Sequence, residues 1–191
     1  MPQKNREFGK FGAQGIKGHE AVAWQLDQLA GFVATPVSLR RGRMARLHYL
    51  TRTDRARQAA REAGLNVTDR TLKAWLDGRR SPSQKNLQLI EVAYEALRRR
   101  NVARHLLQRL NRQGHGTRVE FHPLNQSLVP RTHQRVVGYR TLNVRHWDAV
   151  VQAWAEDDAA ALDTAWFDHI AVDLGSDYGA YEYVTKIGFA A

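Results

Sequence analysis

The chain has 191 residues, of which 43% are hydrophobic and 25% charged, the make-up of a globular protein able to bury a core. It contains no cysteine, which excludes disulfides, zinc–thiolate sites and cysteine nucleophiles. Its formal charge of +10 is far from ordinary and suits a polyanionic partner, nucleic acid first of all.

That charge is unevenly spread. Residues 1–112 carry 23 Lys and Arg against 9 Asp and Glu, net +14, whereas residues 113–191 carry 6 against 10, net −4. A basic front that meets DNA and an acidic back that meets protein are expected. No apolar run approaches the roughly 18 residues of a membrane span. MPQKNREFGKFGAQG has no apolar centre of the kind a signal peptide needs, so a cytoplasmic location is expected, at the nucleoid or a replicon end.

Residues 1–16 are rich in glycine and lysine and are expected to be flexible. From Gly18, residues Ala21, Val22, Leu26, Leu29, Ala30 and Val33 repeat with a helical period, stopped by Pro36. SLRRGRMARLHYLTRT follows, with Leu39, Leu47 and Leu50 on one helical face and Arg40, Arg41, Arg43 and Arg46 on the others. DRARQAAREAGL places Ala56, Ala59, Ala60 and Ala63 at helical spacing, and Gly64 where a left-handed C-cap would sit. Thr68 is placed to cap a short helix, Asp69 to about Asp77, that buries Leu72, Trp75 and Leu76 and ends at Gly78.

A long helix is then expected to about Arg112, striped by Leu87, Ile90, Ala93, Tyr94 and Leu97 and later by Leu106, Leu107 and Leu110. Its Arg98-Arg99-Arg100 run reads equally as a solvated face or a phosphate contact. Beyond Gln113 the texture changes: Thr117 to Phe121 and RVVGYRTLNV read as strands, HWDAVVQAWAEDD and AALDTAWFDHIAVDL as helices, and GAYEYVTKIGF as a closing strand. The expected fold is mostly α: a basic all-helical domain over 17–112, with a helix-turn-helix at about 54–78, then a small acidic α+β domain over 113–191.

The helix-turn-helix carries the functional reading. Reading DNA this way takes a supporting helix packed through small residues, a tight turn, and a second helix offering polar side chains to the major groove. Ala59, Ala60 and Ala63 supply the packing, Gly64 the turn, and Trp75 the anchor. Thr68, Arg70, Thr71 and Lys73 are the expected contacts, with Arg79 and Arg80 close to the DNA backbone and Arg43 and Arg46 added from the preceding basic helix. Arg70 gains nothing from the macrodipole at a helix N-terminus, whereas a phosphate or a guanine edge suits its guanidinium. A helical bundle whose basic residues only keep it in solution is the competing reading, and charge and motif together weigh against it.

GRMARLHYLTRTDRARQAAREAGLNVTDRTLKAWLDGRRSPSQKNL resembles the central helix-turn-helix of the actinobacterial telomere-protecting terminal proteins, which cap the 5′ ends of linear replicons. GTRVEF, YRTLNVRHWDAVVQAWAEDD and GAYEYVTKIGF resemble later segments of that family in the same order, so the likeness spans residues 42 to 189. The helix GHEAVAWQLDQLAGFVA is a departure, and the closing strand is less acidic than the family's. The resemblance implies a protein that primes replication through a side-chain hydroxyl, to which a polymerase joins the first nucleotide. It implies Thr117 as the attachment site, with Gly114 and Gly116 giving access, ahead of Ser127 and Thr132. A polymerase or a telomere-binding protein is the implied partner besides DNA. A transcriptional regulator or plasmid-maintenance protein, acting as a homodimer on a palindrome, is the alternative.

Other chemistry is weakly signalled. His115, His122 and His133 lack the spacing of a helical metal site, and Tyr139 has no paired histidines of a nicking enzyme beside it. Glu156-Asp157-Asp158 is better explained by a helix N-cap than by Mg²⁺, and Trp147, Trp154 and Trp166 by a core than by base stacking. Neither enzymatic activity nor a metal or other cofactor is expected.

Overall fold

The computed structural model describes residues 10–11, 15–123, 132, 140–171 and 183–190. The strand expected over 135–144 and the closing strand from 179 lie partly outside these, and Ser127, His133 and Tyr139 lie wholly outside. Among the described residues the protein is mostly helical, with seven α-helices and a four-stranded antiparallel sheet. The chain divides into two compact units, residues 31–102 and residues 1–30 together with 103–191.

The 31–102 unit is built from α2 (Arg40–Thr51), α3 (Asp54–Glu62), α4 (Asp69–Leu76) and the first part of α5 (Gln84–Asn111). Leu47 and Leu50 of α2, Ala56 and Ala60 of α3, Leu65 of the turn, Trp75 of α4, and Ile90, Ala93, Tyr94 and Leu97 of α5 form one buried cluster. Most members of the expected stripes are here, because a helix buries what recurs every three to four residues. Leu39, expected on the buried face of α2, instead precedes the helix as its N-cap and is exposed, and Leu87 is only half-buried. Thr53 caps α3 by accepting from the Ala56 N–H at 3.1 Å. Gly64, at φ +93°, closes α3 while the Leu65 N–H reaches back to Ala60 O at 2.9 Å. That 6→1 bond needs a left-handed residue at the C-cap, which glycine adopts most cheaply.

The second unit holds β1 (Ile16–Lys17), α1 (Gly18–Ala30), β2 (Thr117–Pro123), β3 (Arg140–Val144), α6 (Asp148–Glu156), α7 (Ala159–Trp166), a π-helical turn (Phe167–Ala171) and β4 (Tyr183–Ala190). The strand order is β1-β4-β2-β3. Val119 stands opposite Leu142 on one side and Phe189 on the other, and the ladder slips between His122 and Pro123. Trp147, Trp154 and Trp166 are all buried, as their helical spacing predicted. Trp147 Nε1 donates to Val144 O at 3.0 Å and Trp154 Nε1 to Asp27 at 3.2 Å, while Trp166 packs edge-on against Phe121. Asp158 caps α7 by accepting from the Ala161 N–H at 2.9 Å, so one acid of the Glu156-Asp157-Asp158 run is a cap.

Two boundaries differ from the sequence reading. The helix from Gly18 ends at Ala30, short of Pro36, and belongs with the sheet rather than with the basic helices. Its buried Ala21, Val22 and Leu26 pack toward β4 and α7, and the ring of Trp166 lies where a Cβ on Gly18 would be. His19 Nδ1 stands 2.5 Å from Asp163 Oδ1. The break expected at Gln113 also moves, with the units dividing within α5 at residue 102. The expected flexible stretch 1–16 falls mostly outside the described residues, but Phe11 donates its N–H to Thr185 O at 3.1 Å and Lys10 sits 3.6 Å from the Trp24 ring centroid.

Candidate nucleic-acid interface

The structural division sharpens the charge asymmetry. Residues 31–102 hold 16 Lys and Arg against 6 Asp and Glu, net +10, and the other unit holds 13 of each. The whole net charge of the protein therefore resides in the unit that contains the paired helices α3 and α4.

α4 rests on Trp75, which is 3% exposed, with Leu72 and Leu76 half-buried beside it. The opposite face carries Asp69, Arg70, Lys73 and Asp77, all exposed. Arg70 and Lys73 have no hydrogen-bond or ion-pair partner among the described residues. Eight residues at a rise of about 1.5 Å make α4 about 12 Å long, a little over two turns.

Between α3 and α4 runs an open groove. Asp54, Arg55, Arg57, Gln58 and Arg61 line it from α3, and Asp69, Leu72, Lys73 and Leu76 from α4. Arg57 is paired with Asp54 at 2.7 Å, while Arg55 and Arg61 are exposed with no such partner among the described residues. Their place follows from the alanine period: Ala56 and Ala60 face the core, so Arg55 and Arg61 point away from it. The sequence reading passed over both.

The other expected contacts separate into two groups. Arg79 and Arg80 are exposed, as DNA contacts must be, although Arg79 is held by Asp77 at 2.5 Å. Thr68 is the helix cap, its hydroxyl accepting from the Thr71 N–H at 3.2 Å. Thr71 turns its own hydroxyl back toward Thr68, at 3.0 Å, and is half-buried rather than outward-facing. Arg43 is half-buried, with a long 3.4 Å contact from its guanidinium to Ser38 O.

Arg46 is a clear correction. It is 4% exposed, donating to Thr35 O, Gly42 O and Val33 O at 2.8, 3.1 and 3.2 Å. Its Nη2 also donates to Glu91 Oε1 at 2.8 Å. A guanidinium so enclosed ties the 33–37 segment to α2 and α5 and is not available to a phosphate. Arg98 is likewise buried, bonded to Gly31 O and to Glu95, and so is no part of a basic surface.

Thr117 is the second correction. Gly114 and Gly116 were expected to open its surroundings, yet Thr117 is 0% exposed and its Oγ1 donates to Leu110 O at 2.6 Å. A hydroxyl that must meet a polymerase and an incoming nucleotide has to be accessible, and this one is sealed where β2 leaves α5. Thr132, by contrast, is exposed.

Elsewhere the chemistry is sparse. His122 is half-buried, and burial together with the neighbouring Lys186 cation lowers its pKa. Among the described residues no three His, Asp or Glu side chains gather closely enough to hold a metal ion. No helix among them is long and apolar enough to cross a membrane. Compared with protein-family models, with curated proteins and with solved structures, the chain matches none.

Proposed function

We propose that residues 31–102 bind double-stranded DNA, with α4 entering the major groove and the cations of α3 meeting the phosphate backbone. The observation that carries this reading is the exposed pair Arg70 and Lys73, without a partner among the described residues, on a helix anchored by Trp75 in the unit that holds the entire net charge. Arg70 stands in the first turn of α4, where the helix dipole does not favour a cation, so an anion that met it would offset that cost. Arg70 is suited to bidentate readout of a guanine edge, and Lys73 to a point contact.

Duplex binding measured over a range of salt concentrations is the test. Affinity is expected to fall steeply with salt, since each neutralised phosphate contributes about −0.9 to the log–log slope. Against a sequence selected from a random duplex pool, Arg70→Ala is expected to relax preference at one position, and Lys73→Gln to weaken all sequences alike. Binding that is absent at low salt, or insensitive to salt, would remove the proposal.

The resemblance to terminal proteins adds a second reading, in which the DNA is a replicon end joined covalently to this chain. The co-linear order of motifs supports it. With Thr117 buried, the exposed Thr132 is the hydroxyl to examine among the described residues that the resemblance put forward. Protein recovered from cells under denaturing conditions should then carry nucleotide, and Thr132→Ala should not; protein free of nucleotide sinks this reading while leaving the DNA-binding one standing.

A further inference from the structure

At the C-terminal end of α4 a third segment of the chain arrives. The guanidinium of Arg40, the first residue of α2, lies over Gly78: a Cβ built on that glycine would stand 3.1 Å from Arg40 Nη2 and 3.7 Å from Cζ. Gly78, at φ +70°, also closes α4, with the Arg79 N–H returning to Ala74 O at 2.9 Å. The missing side chain thus serves both the turn and the passage of Arg40.

A cation at the C-terminal end of α4 complements that helix's dipole, but no hydrogen bond or ion pair among the described residues holds Arg40 there. The carbonyls of Lys73, Ala74 and Trp75 near the end of α4 are met by the N–H groups of Asp77, Gly78, Arg79 and Arg80, and the Arg40 guanidinium hydrogen-bonds none of them. As the first residue of α2 it stands where the helix dipole disfavours a cation. It is exposed, makes no hydrogen bond or ion pair among the described residues, and precedes Arg41, which is also exposed. Arg79 and Arg80 follow Gly78 directly, and only Arg79 has an acidic partner, Asp77. Cations drawn from two distant parts of the sequence therefore converge at one end of α4 with little to neutralise them.

We infer that Arg40 is a DNA-backbone contact, gripping with Arg80 the phosphates that flank the C-terminal end of α4 while Arg55 and Arg61 serve the groove side. The inference rests on the DNA-binding reading above and deepens it. Two backbone contacts, one at the end of α4 and one along its α3 side, would fix the helix in the groove and so set the register in which Arg70 meets a base. Arg40 positions the readout and reads no base itself.

The test uses the full chain on its selected duplex, with wild type, Arg40→Gln and Arg40→Lys compared by salt-dependent affinity and by phosphate-ethylation interference. Arg40→Gln is expected to bind roughly tenfold more weakly, as for a lost charge-assisted hydrogen bond. It should flatten the log–log salt slope by about 0.9, the share of one phosphate. Interference should vanish at one backbone position and persist elsewhere, with base preference unchanged. Arg40→Lys should keep the slope. If Arg40 only complements the α4 dipole, Arg40→Gln will melt at a lower temperature with slope and interference pattern intact, and the inference is overturned. A wild-type protein that binds no duplex overturns the underlying reading as well; a wild type that binds, with an Arg40→Gln that matches it, overturns this inference alone.

Discussion

Thr117 Oγ1 donates a 2.6 Å hydrogen bond to the carbonyl of Leu110, seven residues earlier, and both residues are fully buried. The bond joins the last turns of α5 to the start of β2 and satisfies a carbonyl that the end of a helix leaves without an intrahelical partner. Thr117→Val keeps the β-branched shape and removes the donor, so it should cost about 1–2 kcal/mol in urea unfolding. Duplex affinity should not change. Any nucleotide attachment should survive the substitution too, and its loss in a folded Thr117→Val protein would reinstate Thr117 as the acceptor.

Arg46 makes a related point about a residue whose charge suggested the wrong role. Nη2 donates to Glu91 at 2.8 Å, and Nε stands 2.6 Å from Oε2 at an angle unsuited to a hydrogen bond. The guanidinium also lies 5.2 Å from the centre of the Tyr94 ring, whose hydroxyl pKa is raised chiefly by burial. Arg46→Ala strands the Thr35 and Val33 carbonyls and the Glu91 carboxylate, while Gly42 O keeps its bond within α2. A loss of about 2–3 kcal/mol is expected, below the range for a fully enclosed pair because Glu91 is partly solvated. Arg46→Lys should recover little, since an ammonium cannot span the same fork. At temperatures where the variants are folded, their salt slope for duplex binding should equal that of the wild type, and a flattened slope would return Arg46 to the DNA surface.

What the sequence made legible is the local part of this arrangement. The alanine period of α3, the Gly64 turn, the Thr68 cap and the Trp75 anchor are all written within a few residues of one another, and helix periodicity and capping chemistry are local rules. Long-range contacts were not legible. Nothing near Gly18 signals that it packs under Trp166, so α1 read as part of the basic domain. Arg46 and Arg40 both sit on one basic helix, and sequence alone could not tell that one is enclosed by carbonyls while the other crosses over Gly78. The cluster GHGTRVEF suggested access because its glycines are small, yet Gly116 is buried and Thr117 lies beneath the surface.

The turn between α3 and α4 is held by backbone geometry more than by packing. A Cβ on Gly64 would approach Leu89 Cδ2 only to 3.4 Å, an ordinary contact, but φ is +93°. Gly64→Ala should therefore cost about 1–2 kcal/mol through the left-handed conformation alone. Gly64→Asn should cost less, because asparagine tolerates that region better than alanine does. Thermal unfolding of the two variants checks the order; an alanine variant as stable as the asparagine one would mean that the turn relaxes.

His122 gives the second unit a pH signature. It pairs with Lys186 across β2 and β4, and burial first, then the Lys186 charge, lowers its pKa from the model-peptide value of 6.5, while Glu120 opposes the shift. Above about 6.5 the ring is neutral in both folded and unfolded chains and costs nothing. As the pH falls below that value the unfolded chain takes up the proton first, so stability declines until the folded protein also binds it. Melting temperatures taken between pH 7.5 and 5 should fall for the wild type and fall less for His122→Asn. Equal slopes would show that the ring is protonated alike in both states.

The 31–102 segment should fold and bind DNA on its own. Among the described residues its ten-residue buried cluster draws no member from outside 31–102, and Arg98, near its end, bonds to the carbonyl of Gly31 at its start. A segment of this size can bury enough apolar surface for marginal stability without disulfides or metal. Because it carries the full net charge of +10, its duplex affinity should show the same salt slope as the intact chain. A cooperative urea transition together with matching slopes is the expected result. A folded segment whose slope is smaller by more than about one phosphate's share would mean that cations outside 31–102 also meet the DNA.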